Sequence, residues 1–199
     1  MAPVTLHVRH LRLLLWAALG VLGLGLWAFV LRGADEPADP YLVPVVSLPP
    51  GVDPPGDPAR ELLAGFDEVA ITVQPADGSP LLAWCLLAAL QAEQRSRGLM
   101  GVTDLNGYSG MAFVYDDDVQ SGFWMRNTPM PLSIAWIDAS GTLVHSDDMA
   151  PCEDRDDCPS YRSTGPYRSA IEVPQGQLGA LGIAPGATVT IGGACAARV

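Results

Sequence analysis

The sequence predicts a mainly β domain, an antiparallel sandwich or barrel-like fold with one or two short helices, preceded by one transmembrane helix. Three observations carry this reading. An uncharged apolar run lies near the N-terminus, a proline-rich stretch follows it, and the remainder is a series of short apolar runs punctuated by Gly and Pro.

The apolar run LLLWAALGVLGLGLWAFVL, Leu13 to Leu31, has 19 residues without a charge. As a helix at about 1.5 Å per residue it nearly spans a hydrocarbon core of about 30 Å. His7, Arg9, His10 and Arg12 precede it, and Arg32, Asp35, Glu36 and Asp39 follow. That asymmetry places residues 1–12 in the cytoplasm and everything after the helix outside it. Trp16 and Trp27 lie near the two ends, where interfacial tryptophans belong. The competing reading is a cleaved signal peptide, which needs a shorter apolar region and small residues before the cut. In AFVLRGADE, Arg32 sits two residues before Ala34, a poor match. The expectation is an uncleaved signal anchor in the cell membrane, single-pass, with an extracytoplasmic C-terminal domain.

Residues 32–66 read as a stalk. Gly33 to Phe66 carries eight prolines with scattered acids and no sustained apolar period. Such a segment favours polyproline II and buries too little to order itself. At about 3.1 Å per residue it reaches up to ~100 Å from the bilayer. The apolar stretch YLVPVVSL leaves open that part of it packs on the domain.

The exported domain is expected over residues 67–199. FDEVAITV and LLAWCLLAAL are strand-like runs separated by QPADGSP, whose Pro and Asp-Gly make a hairpin turn. QAEQRSRG is a short helix capped by Gly98. After the loop VTDLNGYSG come a strand MAFVY, an acidic turn DDDVQSG, a strand edge at Phe123 to Arg126, a proline corner and a strand LSIAWID. DASG turns into TLVHS, and the last pieces are a cysteine-bearing loop, RSAIEV, the apolar turn QLGALGIAPG and ATVTI.

The net charge is −11, and all 11 basic residues are arginine. The acidity argues against a nucleic-acid partner. The lack of lysine removes phosphate loops of the Gly-Lys-Ser/Thr type, Schiff-base lysines and Ser-Lys dyads. Cys85, Cys152, Cys158 and Cys195 are an even set in an exported domain and read as disulfides. Cys152 and Cys158 bracket only EDRDD and pair locally, which leaves Cys85 for Cys195. Zinc is disfavoured: no C-x2-C spacing occurs, and His145 is the one histidine in the domain. No cofactor is implied.

Five motifs occur in order: EQRSRGLM (Glu93 to Met100), GMAFVY (Gly110 to Tyr115), FWMRNTPMPLSIAWID (Phe123 to Asp138), AIEVPQG (Ala170 to Gly176) and LGIAPGATV (Leu181 to Val189). Together, from about Ile71 to Ile191, they resemble the family catalogued as domain of unknown function 192. The resemblance implies a compact β-rich domain, often exported or membrane-anchored, without an established activity. Family members commonly carry an acid after the Leu that follows the W-M-x-N-T corner, and here that place is Ser133. If that carboxylate serves a reaction, this chain lacks it.

The candidate ligand-binding residues are Arg97, Trp124, Asn127, Thr128 and Glu172. In the corner Asn127-Thr128-Pro129-Met130-Pro131 the prolines cannot pair regularly. Asn127 and Thr128 either satisfy the backbone groups left over or contact a ligand. Arg97 either pairs with Glu93 one helical turn earlier or reaches Asn127 or Glu172. Glu172 faces away from Ile171 and Val173, outward or into a cleft. Convergence of Arg97, Asn127, Thr128 and Glu172, rimmed by Trp124 and Tyr115, would suit a sugar or another hydroxyl-rich ligand.

Rival chemistries are a hydrolase using Glu93 or Glu172, copper held by His145 with Met100, Met111, Met125, Met130 and Met149, and calcium at Asp116 to Asp118 or at Asp147, Asp148, Glu153, Asp154, Asp156 and Asp157. GYSGM misses the G-x-S-x-G pattern of a nucleophile elbow. The inventory favours a binding or accessory module, for an envelope glycan or a protein partner, over an enzyme.

Overall fold

The computed structural model describes residues 56–199. The expected cytoplasmic N-terminus, the helix of residues 13–31 and most of the stalk lie outside the described residues. Among the described residues no helix is long and apolar enough to cross a membrane.

The chain forms β1 (Asp67–Gln74), β2 (Leu82–Ala89), α1 (Ala92–Arg97), β3 (Met111–Val119), β4 (Phe123–Trp124), β5 (Leu132–Ile137), β6 (Leu143–Met149), β7 (Ser160–Tyr161), β8 (Tyr167–Pro174) and β9 (Thr188–Ile191). Seven strands make one sheet in the order β6-β5-β8-β3-β2-β1-β9, and β4 pairs with β7. The fold is mainly β with little helix, as the alternating apolar runs predict.

One pairing departs from the antiparallel expectation. Leu87–Ala89 of β2 run parallel to Met111–Phe113 of β3. A parallel pair cannot be joined by a tight turn; the chain must cross over one face of the sheet. Residues 90–110, including α1, make that crossing. The helix is only six residues long and buries none of them, so local ties hold it. The Gln94 side chain accepts the Gln91 N–H at 2.9 Å, and the Gly98 N–H closes on the Gln94 carbonyl at 2.8 Å.

The second departure is at β3. Asp116 to Asp118, expected as a turn, continue the strand within a register irregularity between Val114 and Val119, and all three are exposed. At an exposed strand end, carboxylates reach water without leaving the pleat.

Both faces of the sheet are covered. On one face Leu87, Leu99, Met111, Phe113, Phe123, Met125, Leu132, Ile134, Trp136 and Tyr167 form a cluster rich in aromatics and methionine. On the other, Val69, Ile71, Leu86, Ala88, Ala112, Ala135, Ile171, Val173, Leu181, Ile183 and Val189 form a smaller-residue cluster under the apolar turn of the late chain. β5 is buried at all six positions because it serves both clusters.

The sheet curls until its two ends touch: the Val189 N–H donates to the Gly141 carbonyl at 2.8 Å, and Thr142 bridges Thr188. Gly141 has φ +85°, and a Cβ there would lie 2.3 Å from the Val189 carbonyl oxygen.

The segment just before β1 and the residues after β9 are tied to this body. Cys85 bonds Cys195, and Cys152 bonds Cys158, as the spacing predicts. Arg60, though on the stalk side of the expected boundary, is buried and pairs with Glu68 at 3.0 Å. Glu68 also meets Arg198 at 3.0 Å and accepts the Tyr108 hydroxyl at 2.6 Å. Burial pushes the Glu68 carboxyl up, but Tyr108, Arg60 and Arg198 outweigh it and leave the group below its ordinary value.

Gly141→Ala is expected to destabilise the domain by roughly 2–4 kcal/mol, because strain at positive φ adds to a backbone clash. Gly176, with φ +82° and nothing within 4 Å of its would-be Cβ, supplies the comparison. Gly176→Ala should cost about 1 kcal/mol. Urea midpoints that fall equally for the two variants would show that sheet closure contributes nothing.

Candidate functional site

A cleft of about 320 Å³ opens where α1 crosses the sheet. Its walls include Arg95, Arg97 and Gly98 of the crossover, Phe113 and Tyr115 of β3, Phe123 and Trp124 of β4, Thr128 and Glu172.

Glu172 lies on β8, between Met111 of β3 and Ile134 of β5, in the middle of the sheet. Alternation puts it on the face of Ala170, opposite Ile171 and Val173, and therefore in the cleft rather than outward. Only 4% of it is exposed. Among the described residues its carboxyl has no hydrogen-bond partner, and burial alone pushes it up to about 8 from 4.5. Carboxyls in such places are rarely left unpaired. Gly110 lets β3 pass this point, since a Cβ there would lie 2.2 Å from the Glu172 carbonyl oxygen.

Arg97 does not pair with Glu93. Its Nη1 donates to the Ala64 carbonyl at 2.7 Å, and its guanidinium lies 4.7 Å above the Phe66 ring. Glu93 is exposed and does not line the cleft, so no second carboxylate is brought to Glu172 from α1.

Arg95 escapes a reading of the sequence. Its Nη1 donates to the Leu90 carbonyl and, at 2.9 Å, to that of Val114, while its guanidinium sits 4.8 Å from the Tyr115 ring centre. The available signal was helical spacing: Arg95 stands one turn after Gln91 on a helix whose neighbours are strands.

Trp124 is 46% exposed at the rim, with Arg126 5.6 Å from its ring centre. Thr128 is buried against the cleft and donates its hydroxyl to the Arg126 carbonyl at 3.3 Å.

Asn127 behaves otherwise. It is exposed and does not line the cleft, and among the described residues its side chain makes no hydrogen bond. Its contribution is its backbone, at φ +52°. The Thr128 N–H closes a turn onto the Met125 carbonyl at 2.9 Å, with Asn127 at the position that takes positive φ. Asn tolerates that conformation better than most residues. The Asn127 carbonyl then accepts the Gly101 N–H at 2.7 Å and its N–H donates to Glu153 at 3.4 Å, stitching the corner to the crossover and to the cysteine loop.

Ser133, at the place where the resemblance implied an acid, lies on the opposite face of β5 from Ile134 and points away from the cleft. Its hydroxyl donates to Asp148 and accepts the Gly176 N–H at 2.8 Å.

The acidic clusters are engaged in part. Arg126 holds Asp154 and Asp156, each at 2.6 Å, Arg155 meets Asp157, and Arg168 meets Asp118. Met111, Met125 and Met149 are buried core filling, and His145 lies flat on Trp136 at 5.5 Å between centroids. Among the described residues the grouping of ligand atoms close enough for an ion is Glu68, Cys85 and Cys195, and both of its sulfurs are in a disulfide.

Two solved structures share this fold. A candidate transcription regulator from Sinorhizobium meliloti 1021 is 22% identical, with a TM-score of 0.56, over 65% of this chain and 97% of its own. A protein of unknown function from Novosphingobium aromaticivorans DSM 12444 is 26% identical, with a TM-score of 0.56, over 70% of this chain and 93% of its own. No curated protein matches the sequence. The pattern of domain of unknown function 192, described as an uncharacterized ACR, matches residues 74–191, a span that contains every wall of the cleft. The chain belongs to that family.

Proposed function

We propose that this is a membrane-anchored envelope protein whose exported β domain binds a small hydroxyl-rich ligand, such as a sugar unit, in the cleft over Glu172. The observation that carries the reading is the buried, unpartnered Glu172 carboxyl lining an open cleft. A carboxyl that is 4% exposed and has no protein partner gains from a ligand that supplies its hydrogen bonds. Trp124 and Tyr115 offer faces on which the C–H side of a sugar ring stacks.

Hydrolysis by paired carboxylates needs a second acid across the cleft. Glu93 does not stand there, so binding is the better reading. The regulatory role suggested for the Sinorhizobium protein is not carried over, because a net charge of −11 opposes contact with nucleic acid.

The anchor and its orientation rest on the apolar run at 13–31 and the charges flanking it, and both disulfides suit an oxidising compartment. A C-terminal reporter active only outside the cytoplasm is the expected outcome. A reporter active only inside would reverse the topology.

Protonation of Glu172 gives a separate prediction. Between pH 4.5 and about 8 the folded chain holds a proton on Glu172 that the unfolded chain has released. Stability attributable to this group therefore falls as pH rises through that window, by up to about 1.4 kcal/mol per pH unit. The lowered carboxyls of Glu68, Asp138 and Asp148 act in the opposite sense and at lower pH. Glu172→Gln should flatten the slope from pH 5 to 8 and make the variant more stable than the parent at pH 8 by a few kcal/mol. Urea unfolding of both proteins across that range checks it, and parallel slopes would mean that the carboxyl ionises freely in the fold.

The binding reading predicts that a panel of envelope saccharides contains at least one that raises the melting temperature of the full chain. Trp124→Ala should abolish that rise while leaving the unliganded melting temperature within about 2 °C, a surface-sized effect. A panel that shifts nothing overturns the small-ligand reading.

A further inference from the structure

We infer that the cleft selects a saccharide unit bearing a carboxylate, of the uronic acid class, with Arg95 and Arg97 receiving the carboxylate and Glu172 bonding to a ring or carboxylate oxygen. The inference rests on the binding reading and sharpens its ligand.

The first support is a charge census. Acids outnumber arginines 22 to 11 in the chain. Among the described residues Arg60, Arg126, Arg155, Arg168 and Arg198 each meet a carboxylate within 4 Å. Arg95, Arg97 and Arg162 do not, and two of these three line the cleft. In so acidic a protein, two guanidiniums on one cleft without a protein carboxylate make a local anion-attracting site.

The second support is that both are held in place by something other than a charge. Arg95 is fixed by two backbone carbonyls and the Tyr115 ring, and Arg97 by the Ala64 carbonyl and the Phe66 ring. In each case one nitrogen, Nη1, makes the protein hydrogen bonds found among the described residues. The remaining N–H groups of each planar fork have no protein acceptor among the described residues, and a guanidinium fork suits a carboxylate. For Arg95, half-buried and tied to two carbonyls, little side-chain entropy is lost on binding.

The third support is the company they keep. Among the described residues Glu172 is the one acid lining the cleft, and while it carries its proton it donates a hydrogen bond to an anionic ligand instead of repelling it. The other charged or titratable groups lining the cleft are Arg95, Arg97 and Tyr115. The volume of about 320 Å³ is at the small end for ligand sites, which run from roughly 300 to 1,000 Å³. One sugar ring with a single anionic arm fits that scale, and Phe113, Phe123 and Trp124 supply apolar faces for its C–H edge.

The test is titration calorimetry of the full chain in detergent with D-glucuronate and D-galacturonate, their neutral parents glucose and galactose, and glucose 6-phosphate. At pH 7 at least one uronate should bind tenfold or more tightly than its parent and more tightly than the sugar phosphate. Arg97→Gln should bring uronate and parent to within about twofold, and Arg97→Lys, which keeps charge but not the fork, should fall between. Uronate affinity should decline from pH 7 to pH 9 in the parent protein, and Glu172→Gln should remove that decline. Melting curves confirm that the variants are folded. Neutral sugars that bind as well as the uronates, or a sugar phosphate that binds better, would overturn the inference and leave the binding reading standing. Failure of every sugar to bind would remove both.

Discussion

The parallel pairing of β2 with β3 is the constraint on which the rest of the site depends. Two adjacent parallel strands oblige the chain to double back over one face before re-entering the sheet, and residues 90–110 make that crossing, so that the start of β3 pairs with the end of β2. The helix on this path is too short to be stable alone, so it is fastened at both ends and laid over Phe113. What the crossing carries becomes the wall of the cleft: Arg95, Arg97 and Gly98 above, with β3 and β8 as the floor. An antiparallel hairpin at this point would leave Glu172 on an uncovered sheet face, where an acid would be solvated and ordinary.

The same crossing explains why Glu172 is costly. A polar group taken from water without a partner loses about 1–3 kcal/mol, even when neutral. That is a large share of the 5–15 kcal/mol by which domains are stable. The domain offsets it with ties that hold the segment before β1 and the residues after β9. The Cys85–Cys195 bond spans 110 residues of sequence, for which the loop-entropy account gives about 4–5 kcal/mol. Beside it, Glu68 gathers Arg60, Arg198 and Tyr108 and so clamps the segment before β1 and the chain terminus onto one strand. A fold fastened in this way tolerates a locally unfavourable residue where a site needs one.

Much of the fold was legible because it is local. Period-2 alternation in LSIAWI, the Pro and Gly punctuation, the Gly98 cap and the cysteine spacing all act over a few residues, and each reappears in the structure. What was not legible depends on distant partners. Nothing in LLAWCLLAAL says that the strand after the helix will lie parallel to the one before it. The acidic stretch after MAFVY reads as a turn by composition, yet it stays in the strand because its side chains point to water. Asn127 shows a subtler limit. Its polar side chain suggested a hydrogen bond, whereas the turn uses its tolerance of positive φ, and those two roles look the same in a sequence. The cleft was half visible in the same sense: Arg97, Trp124, Thr128 and Glu172 line it together, Asn127 stands outside, and Arg95 is added by a helix orientation that only the crossover fixes.

The choice between binding and hydrolysis turns on how many acids face the cleft. Acid–base cleavage of a glycosidic bond uses two carboxyls about 5–10 Å apart, one held protonated and one ionised by contrasting surroundings. Glu172 has the surroundings of the protonated member, desolvated and raised toward neutrality. An ionised member would have to stand in a polar part of the same cleft, and there the chain places two arginines instead. A guanidinium cannot take a proton from water or attack a sugar carbon, but it does hold a carboxylate in a fixed direction. On the proposed reading, one protonated acid and two cations, walled by aromatic rings, complement an anionic ligand, whereas the two-carboxyl route would need a second acid that the described residues do not bring to this cleft.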